Sequence, residues 1–260
     1  MLFAIDVGNT DTKLGFFGRG ERGKVGELEH TWRVTTSPRR TSDEYGVLFR
    51  ALFSEAGVSL DAIDAIVVSS VVPPIESHLR DACLRYFERT PHFINAGTQR
   101  LIEVRTERPV ELGSDLLCGA IGAVARYGSP AIVIGYGTAT TFSAISRDGA
   151  FLGTALAPGI QISIDALISR AAKLPQIALE TPDAAIGRET VASLQSGFVF
   201  GFVGQTEGIV TRIKAEIGAD ARTIATGGLA HVVGRQTPMI DEIDPHLILE
   251  GLRLFYEATR

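Results

Sequence analysis

The sequence predicts an α/β protein made of two related halves, and three observations carry that prediction. An apolar strand, a small polar turn and a second strand open the chain over Phe3–Phe17. The same design restarts over Ala131–Ile145. Each half then has a buried strand that ends in small residues: the continuous apolar run Ala65-Ile66-Val67-Val68 before Ser69-Ser70, and Arg222-Thr223-Ile224-Ala225-Thr226 before Gly227-Gly228. With 260 residues and 45% hydrophobic content, the chain can hold one large domain or two of roughly 130 residues, each with a core.

In Phe3-Ala4-Ile5-Asp6-Val7-Gly8-Asn9-Thr10-Asp11-Thr12-Lys13-Leu14-Gly15-Phe16-Phe17, Asp6 ends a buried strand and Gly8 permits a turn that side chains would crowd. Asn9, Thr10 and Thr12 set small polar groups beside backbone N–H donors, a pattern that fits a nucleotide-phosphate site. Asp6 suits a hydrated Mg²⁺, which takes only one or two carboxylates. An ordinary hairpin, whose Asp and Asn merely shape the turn, uses the same residues.

Thr31–Thr36 is β-branched and aromatic enough for a third strand, giving three short antiparallel strands. Thr41-Ser42-Asp43-Glu44 has capping-box spacing before a helix from Tyr45 to Ala56. A buried strand at Ala65–Val68, a helix from Ile75 to Phe87 and a strand at His92–Ile94 follow, and Asn95–Pro109 is polar and irregular. The first half ends at residue 112. The second, 113–260, opens with the helix Leu116–Tyr127, which Ser114 or Asp115 is placed to cap.

After the second hairpin, Phe151–Ala157 adds a third strand and Ile160–Ala172 a helix. Thr190–Ile217 is one long helix or a broken pair, because Gly197, Gly201, Gly204 and Gly208 each weaken it by about 1 kcal/mol relative to Ala. Their spacing predicts a close helix approach. Arg222–Thr226 is the last buried strand, and Asp244-Pro245 begins a terminal helix to Tyr256.

Composition narrows the function. Net charge is −5 and the basic residues are dispersed, which argues against a nucleic-acid partner and for a small molecule. No leader pattern and no apolar run of about 18 residues appears, so a cytoplasmic protein without a membrane span is expected. Cys83 and Cys118 lie apart from each other and from any His cluster, which predicts buried free thiols.

Asp6-Val7-Gly8-Asn9-Thr10 aligns with Gly135-Tyr136-Gly137-Thr138-Ala139, and Val68-Ser69-Ser70 with Ala225-Thr226-Gly227-Gly228. Two such units, each ribonuclease-H-like, form the layout of the actin, hexokinase and Hsp70 type, with ATP phosphates gripped by both turns in a central interdomain cleft. Gly227 and Gly228 are expected to be glycine because a Cβ would meet the base or ribose. Short glycine turns can also arise independently.

With these residues assembled, the whole chain resembles the type III pantothenate kinases. The similarity runs through Asp6-Val7-Gly8-Asn9-Thr10, residues 36–46, Ser69-Ser70-Val71-Val72-Pro73-Pro74, Gly137-Thr138-Ala139-Thr140-Thr141, Ala157-Pro158-Gly159-Ile160, residues 170–175, Leu194-Gln195-Ser196-Gly197 and Ala225-Thr226-Gly227-Gly228-Leu229. The resemblance implies ATP-dependent phosphorylation of pantothenate to 4'-phosphopantothenate, the first step toward coenzyme A. It implies a homodimer, Mg²⁺, and a monovalent cation, K⁺ or NH4⁺. It also implies that Asp115 takes the proton from the substrate hydroxyl, and that Asp6 faces the metal and phosphates. Gly8, Asn9, Thr10, Lys13, Gly137, Thr138 and Thr140 would bind phosphate, Gly227 and Gly228 the nucleotide, and Gly113, Ser114 and Thr190 the acceptor.

The chain departs from the family on the acceptor and cation side. Leu116 stands where the family has an Arg that could hold the substrate carboxylate, Gly119 where it has Asn, and Gly135 where it has a second acid. Thr106-Glu107-Arg108-Pro109 replaces Tyr-Asp-Asn-Pro, and Glu189 replaces an Asn. Arg105 or Arg108 could stand in for the lost Arg. Two other readings share the scaffold: a catalytically impaired paralogue that binds nucleotide or a pantothenate-like ligand in a regulatory role, and a kinase with an altered acceptor.

Overall fold

The computed structural model describes residues 1–21, 24–171 and 173–260. The chain divides into two compact units: Met1–Ile102 with Glu107–Gly122 and Leu247–Arg260, and Glu103–Thr106 with Ala123–His246. These do not follow the expected division at residue 112. The start of the helix after residue 113 and the terminal helix both join unit 1, because their packing partners are there.

Unit 1 is built on a five-stranded sheet in the order β3-β2-β1-β4-β5. Its strands are β1 (Leu2–Val7), β2 (Asp11–Arg19), β3 (Val25–Thr35), β4 (Ala65–Ser70) and β5 (His92–Phe93). The third strand is longer than expected, since its alternating exposed and half-buried positions make an edge with little apolar signal. Helices α1 (Ser42–Glu55) and α2 (Pro73–Phe87) cover one face. The capping box at Thr41 and Glu44 is present, with the Thr41 N–H donating to Glu44 Oε2 at 2.7 Å.

Strand alternation divides the side chains of β1. Phe3, Ile5 and Val7 join the aromatic core with Phe49, Phe53 and Phe87, and rings of Phe3 and Phe53 meet edge-on. The intervening residues, Asp6 among them, belong to the opposite face. That side receives α7 (Leu247–Ala258), which packs on β1 and β4. It also receives the start of α3 (Ser114–Tyr127), where a Cβ on Gly251 would collide with the Cys118 carbonyl. A close helix approach therefore occurs at Gly251.

Unit 2 repeats the architecture. Its sheet order is β10-β9-β6-β7-β8, from β6 (Ala131–Tyr136), β7 (Ala139–Ile145), β8 (Phe151–Pro158), β9 (Arg222–Thr226) and β10 (Glu242–Ile243). In each unit the first strand pairs antiparallel with the second and parallel with the fourth. In register, Asp6 opposes Ser69 as Gly135 opposes Thr226, and Asp6 opposes Lys13 as Gly135 opposes Thr141. The internal repeat is thus a shared topology in shared register. β10 has only two residues, too few for a periodic signal.

Helix α4 spans Ile160–Arg170, and its expected end at Ala172 lies outside the described residues. α5 is one continuous helix, Thr190–Ile217, followed by the short α6 (Ala230–Gly234). Among the described residues a Cβ on Gly197, Gly201 or Gly204 would meet nothing within 4 Å, and one on Gly208 only Arg212 Nη1 at 3.4 Å, so the predicted close helix approach is not found there. Cys83 and Cys118 are free and buried.

Candidate active site

The candidate site in unit 1 begins with the turn after β1. The Gly8 N–H donates to the Asp11 carbonyl at 3.0 Å, and a Cβ on Gly8 would lie 3.0 Å from that oxygen. Thr36, at the end of β3, holds the turn from the side. Its N–H donates to the Thr10 carbonyl at 2.9 Å and its hydroxyl to the Gly8 carbonyl at 2.7 Å. Its Oγ1 also lies 2.9 Å from Thr12 Oγ1. Asn9 and Thr10 are exposed at the tip.

Asp6 is buried, with Oδ1 unpartnered among the described residues. Burial pushes its carboxyl up to about 6, and the charge of Asp115 adds to this. Lys13 and the nearby Ser69 hydroxyl oppose it. Asp115 is also raised, chiefly by burial, against the Leu116 N–H, its own N–H and Lys13. Its Oδ1 accepts the Leu116 N–H at 2.8 Å. The structure thus brings Asp6, Lys13, Ser69, Ser114 and Asp115 together in one unit.

Ser114 does not present its side chain as an acceptor-binding group. Its buried Oγ accepts the Ser70 N–H at 2.9 Å, donates to the Ser70 carbonyl at 3.0 Å and lies 3.0 Å from Ser69 Oγ. The neighbouring strand end uses its whole hydrogen-bonding capacity. Gly113 is needed by Asp115, because a Cβ there would lie 2.6 Å from Asp115 Oδ1. Sequence reasoning assigned no role to Ser69 or Thr36. A serine or threonine at a strand end carries no local signal of its partner.

In unit 2 the Gly137 N–H donates to the Ala139 carbonyl at 3.1 Å, and the Gly159 N–H to the Thr138 carbonyl at 3.1 Å. Thr140, expected at phosphate, is buried with its hydroxyl 3.2 Å from the Pro158 carbonyl to which it donates. It ties β7 to β8 and shapes the turn. Gly227 has φ +100°, and a Cβ there would strike the Tyr136 backbone, so the fold itself demands this glycine. That demand stands apart from any contact with base or ribose. Thr226 Oγ1 is buried without a partner among the described residues, beside the side-chain-less Gly135.

Thr190 is exposed at the start of α5, where Glu189 caps the helix by accepting the Ala192 N–H at 3.2 Å. Neither candidate replacement for the Arg missing at Leu116 is unpaired. Arg105 binds Glu103 and Asp148, and Arg108 binds Glu111 at 2.9 Å. Among the described residues no group of three or more His, Cys, Asp or Glu could hold a metal. A hydrated Mg²⁺ needs fewer, and the orphaned Asp6 Oδ1 is a hard oxygen donor of the right kind. No helix among the described residues is long and apolar enough to cross a membrane.

Two sheets of one order and one register, each with a glycine turn after its first strand, define a protein of the actin, hexokinase and Hsp70 class of fold. The activator of the 2-hydroxyisocaproyl-CoA dehydratase from Clostridium difficile, solved with bound ADPNP, shares this fold at TM-score 0.53 and 12% identity, over 99% of this chain and 95% of that one. The family model for type III pantothenate kinase matches residues 2–212. The type III pantothenate kinase of Anaeromyxobacter sp. (strain K) is 45% identical over 100% of both chains. That of Geobacillus kaustophilus (strain HTA426) is 43% identical over 100% of this chain and 98% of its own. The chain belongs to the type III pantothenate kinase family.

Proposed function

We propose that this protein transfers the γ-phosphoryl group of ATP to the hydroxyl of pantothenate, giving 4'-phosphopantothenate and ADP, the first step of coenzyme A biosynthesis. The observation that carries this reading is full-length identity of 43% and 45% to kinases of that name. The two electrostatically coupled acids of unit 1, Asp6 and Asp115, support it.

Asp115 is the general base. Its carboxylate takes the proton as the acceptor oxygen attacks the γ-phosphorus, and burial, by raising its proton affinity, suits it to that task. Asp6 holds Mg²⁺, which when bound neutralises charge on the phosphates. Lys13 and the turn of Gly8, Asn9 and Thr10 bind phosphate oxygens, a role the family resemblance also gives to Gly137 and Thr138. Gly227 and Gly228 lie along the nucleotide, and Gly113 and Thr190 along the acceptor. The family resemblance supports a monovalent cation, K⁺ or NH4⁺, and a cytoplasmic homodimer. The open glycine face of α5, with Leu156 and Ile162 exposed on β8 and α4, supports assembly with a second copy.

A coupled ATP-consumption assay with pantothenate, Mg²⁺ and K⁺ tests this. Turnover of about one per second is expected. ATP that raises the melting temperature without any turnover would overturn the kinase reading.

A further inference from the structure

The two acids reside on different elements, Asp6 on β1 and Asp115 at the start of α3, and two serines tie α3 to β4, the strand beside β1. Ser69 stands opposite Asp6 in the parallel β1–β4 register. Ser69 Oγ meets Ser114 Oγ at 3.0 Å, and Ser114 precedes Asp115. Ser114 also grips both polar groups of the Ser70 backbone, at 2.9 and 3.0 Å. A hydroxyl has one proton and two acceptor sites, so these partners leave it nothing further to offer.

The other restraints on Asp115 are internal to its own segment: the Leu116 N–H, and the Leu117 N–H donated to the Gly113 carbonyl at 3.1 Å. They shape the first turn of α3 without relating it to β1. Helix packing at Cys118 against Gly251 fixes the next turn and not the height of Asp115 beside Asp6. The Ser69–Ser114 pair supplies that specification.

We propose that Ser114, acting with Ser69, is a positioning residue that sets the placement of Asp115 relative to Asp6. The inference rests on the kinase reading for its catalytic consequence, though not for its geometry. A misplacement of about 1 Å in a reacting group can cost on the order of a hundredfold in rate. Ser114→Ala removes all the contacts of the hydroxyl while leaving both acids in the chain.

Two measurements on the full-length protein test it. In steady-state kinetics, Ser114→Ala should lower kcat by about tenfold or more while KM for ATP stays within about threefold, since the phosphate turn is untouched. Ser69→Ala, which removes one link instead of three, should lower kcat in the same direction and serves if Ser114→Ala does not fold. A kcat within about twofold of wild type in the folded variant, read well below its melting temperature, overturns the proposal. If the wild type itself has no turnover, the kinase reading fails, and the crystal structure of the variant decides positioning. A displaced Asp115 carboxyl relative to Asp6 supports it, and an unmoved one overturns it.

Discussion

Asp6 faces Ser69 across the parallel β1–β4 register, and Ser69 Oγ lies 3.0 Å from Ser114 Oγ. The pair at the same place in unit 2 is Gly135 and Thr226, whose hydroxyl is buried with no partner among the described residues. The two units share a scaffold, and one has lost the acid the other keeps. Carboxylate chemistry at the ends of the first strands therefore rests on unit 1.

Adding the acid back should test that asymmetry. In Gly135→Asp, the new Cβ would lie 2.7 Å from Thr141 Oγ1, a terminal hydroxyl that can rotate away, and Thr226 can donate to the carboxylate. The Mg²⁺ concentration for half-maximal turnover is expected to fall several-fold, with Gly135→Ala leaving it unchanged. Combined with Leu116→Arg, the substitution should also raise kcat/KM for pantothenate, because a guanidinium can hold a carboxylate through two hydrogen bonds.

The buried acid makes stability depend on pH. Asp6 ionises near 3.8 when unfolded and near 6 when folded. Between those values the folded state binds more protons, so stability falls as pH rises through the window and the loss is complete above it. The total is on the order of 3 kcal/mol. Asp6→Asn should flatten this decline in thermal melts of ligand-free protein from about pH 4 to about pH 7. Parallel curves for variant and wild type would assign the dependence to another group.

Removing the base should separate catalysis from binding. Asp115→Asn keeps a side-chain oxygen for the Leu116 N–H, so the start of α3 is preserved. kcat is expected to drop by about a hundredfold to ten-thousandfold. The rise in melting temperature on adding ATP should persist, as measured by differential scanning fluorimetry.

Gly227 offers a test of the fold without reference to ligand. An alanine there meets the Tyr136 backbone at a φ of +100°. Strain and overpacking together should destabilise the protein by more than about 2 kcal/mol. Urea unfolding would show it as a lower midpoint with an unchanged slope. An unchanged midpoint would return Gly227 to a role in ligand contact alone.

Much of the site was legible because its signals are local. An acid at the end of an apolar run marks Asp6, and Gly113-Ser114-Asp115 before a helical pattern marks Asp115. Ser69 and Thr36 carried no such mark, since each meets a residue far along the chain that only the folded structure brings near. Ser114 and Thr140 were legible as polar residues in the right segments. Their engagement by Ser70 and Pro158 emerges only from packing.

The sequence by itself determined the two matching sets of strands and turns, the capping box at Thr41 and the acids at Asp6 and Asp115. Apolar periodicity, capping residues and glycine turns act over a few residues, so they are written locally. Only the tertiary structure decided that α7 and the start of α3 belong to unit 1, that Gly227 answers to Tyr136, and that a pair of serines ties α3 to β4. Each of these depends on segments distant in the chain meeting at contact distance.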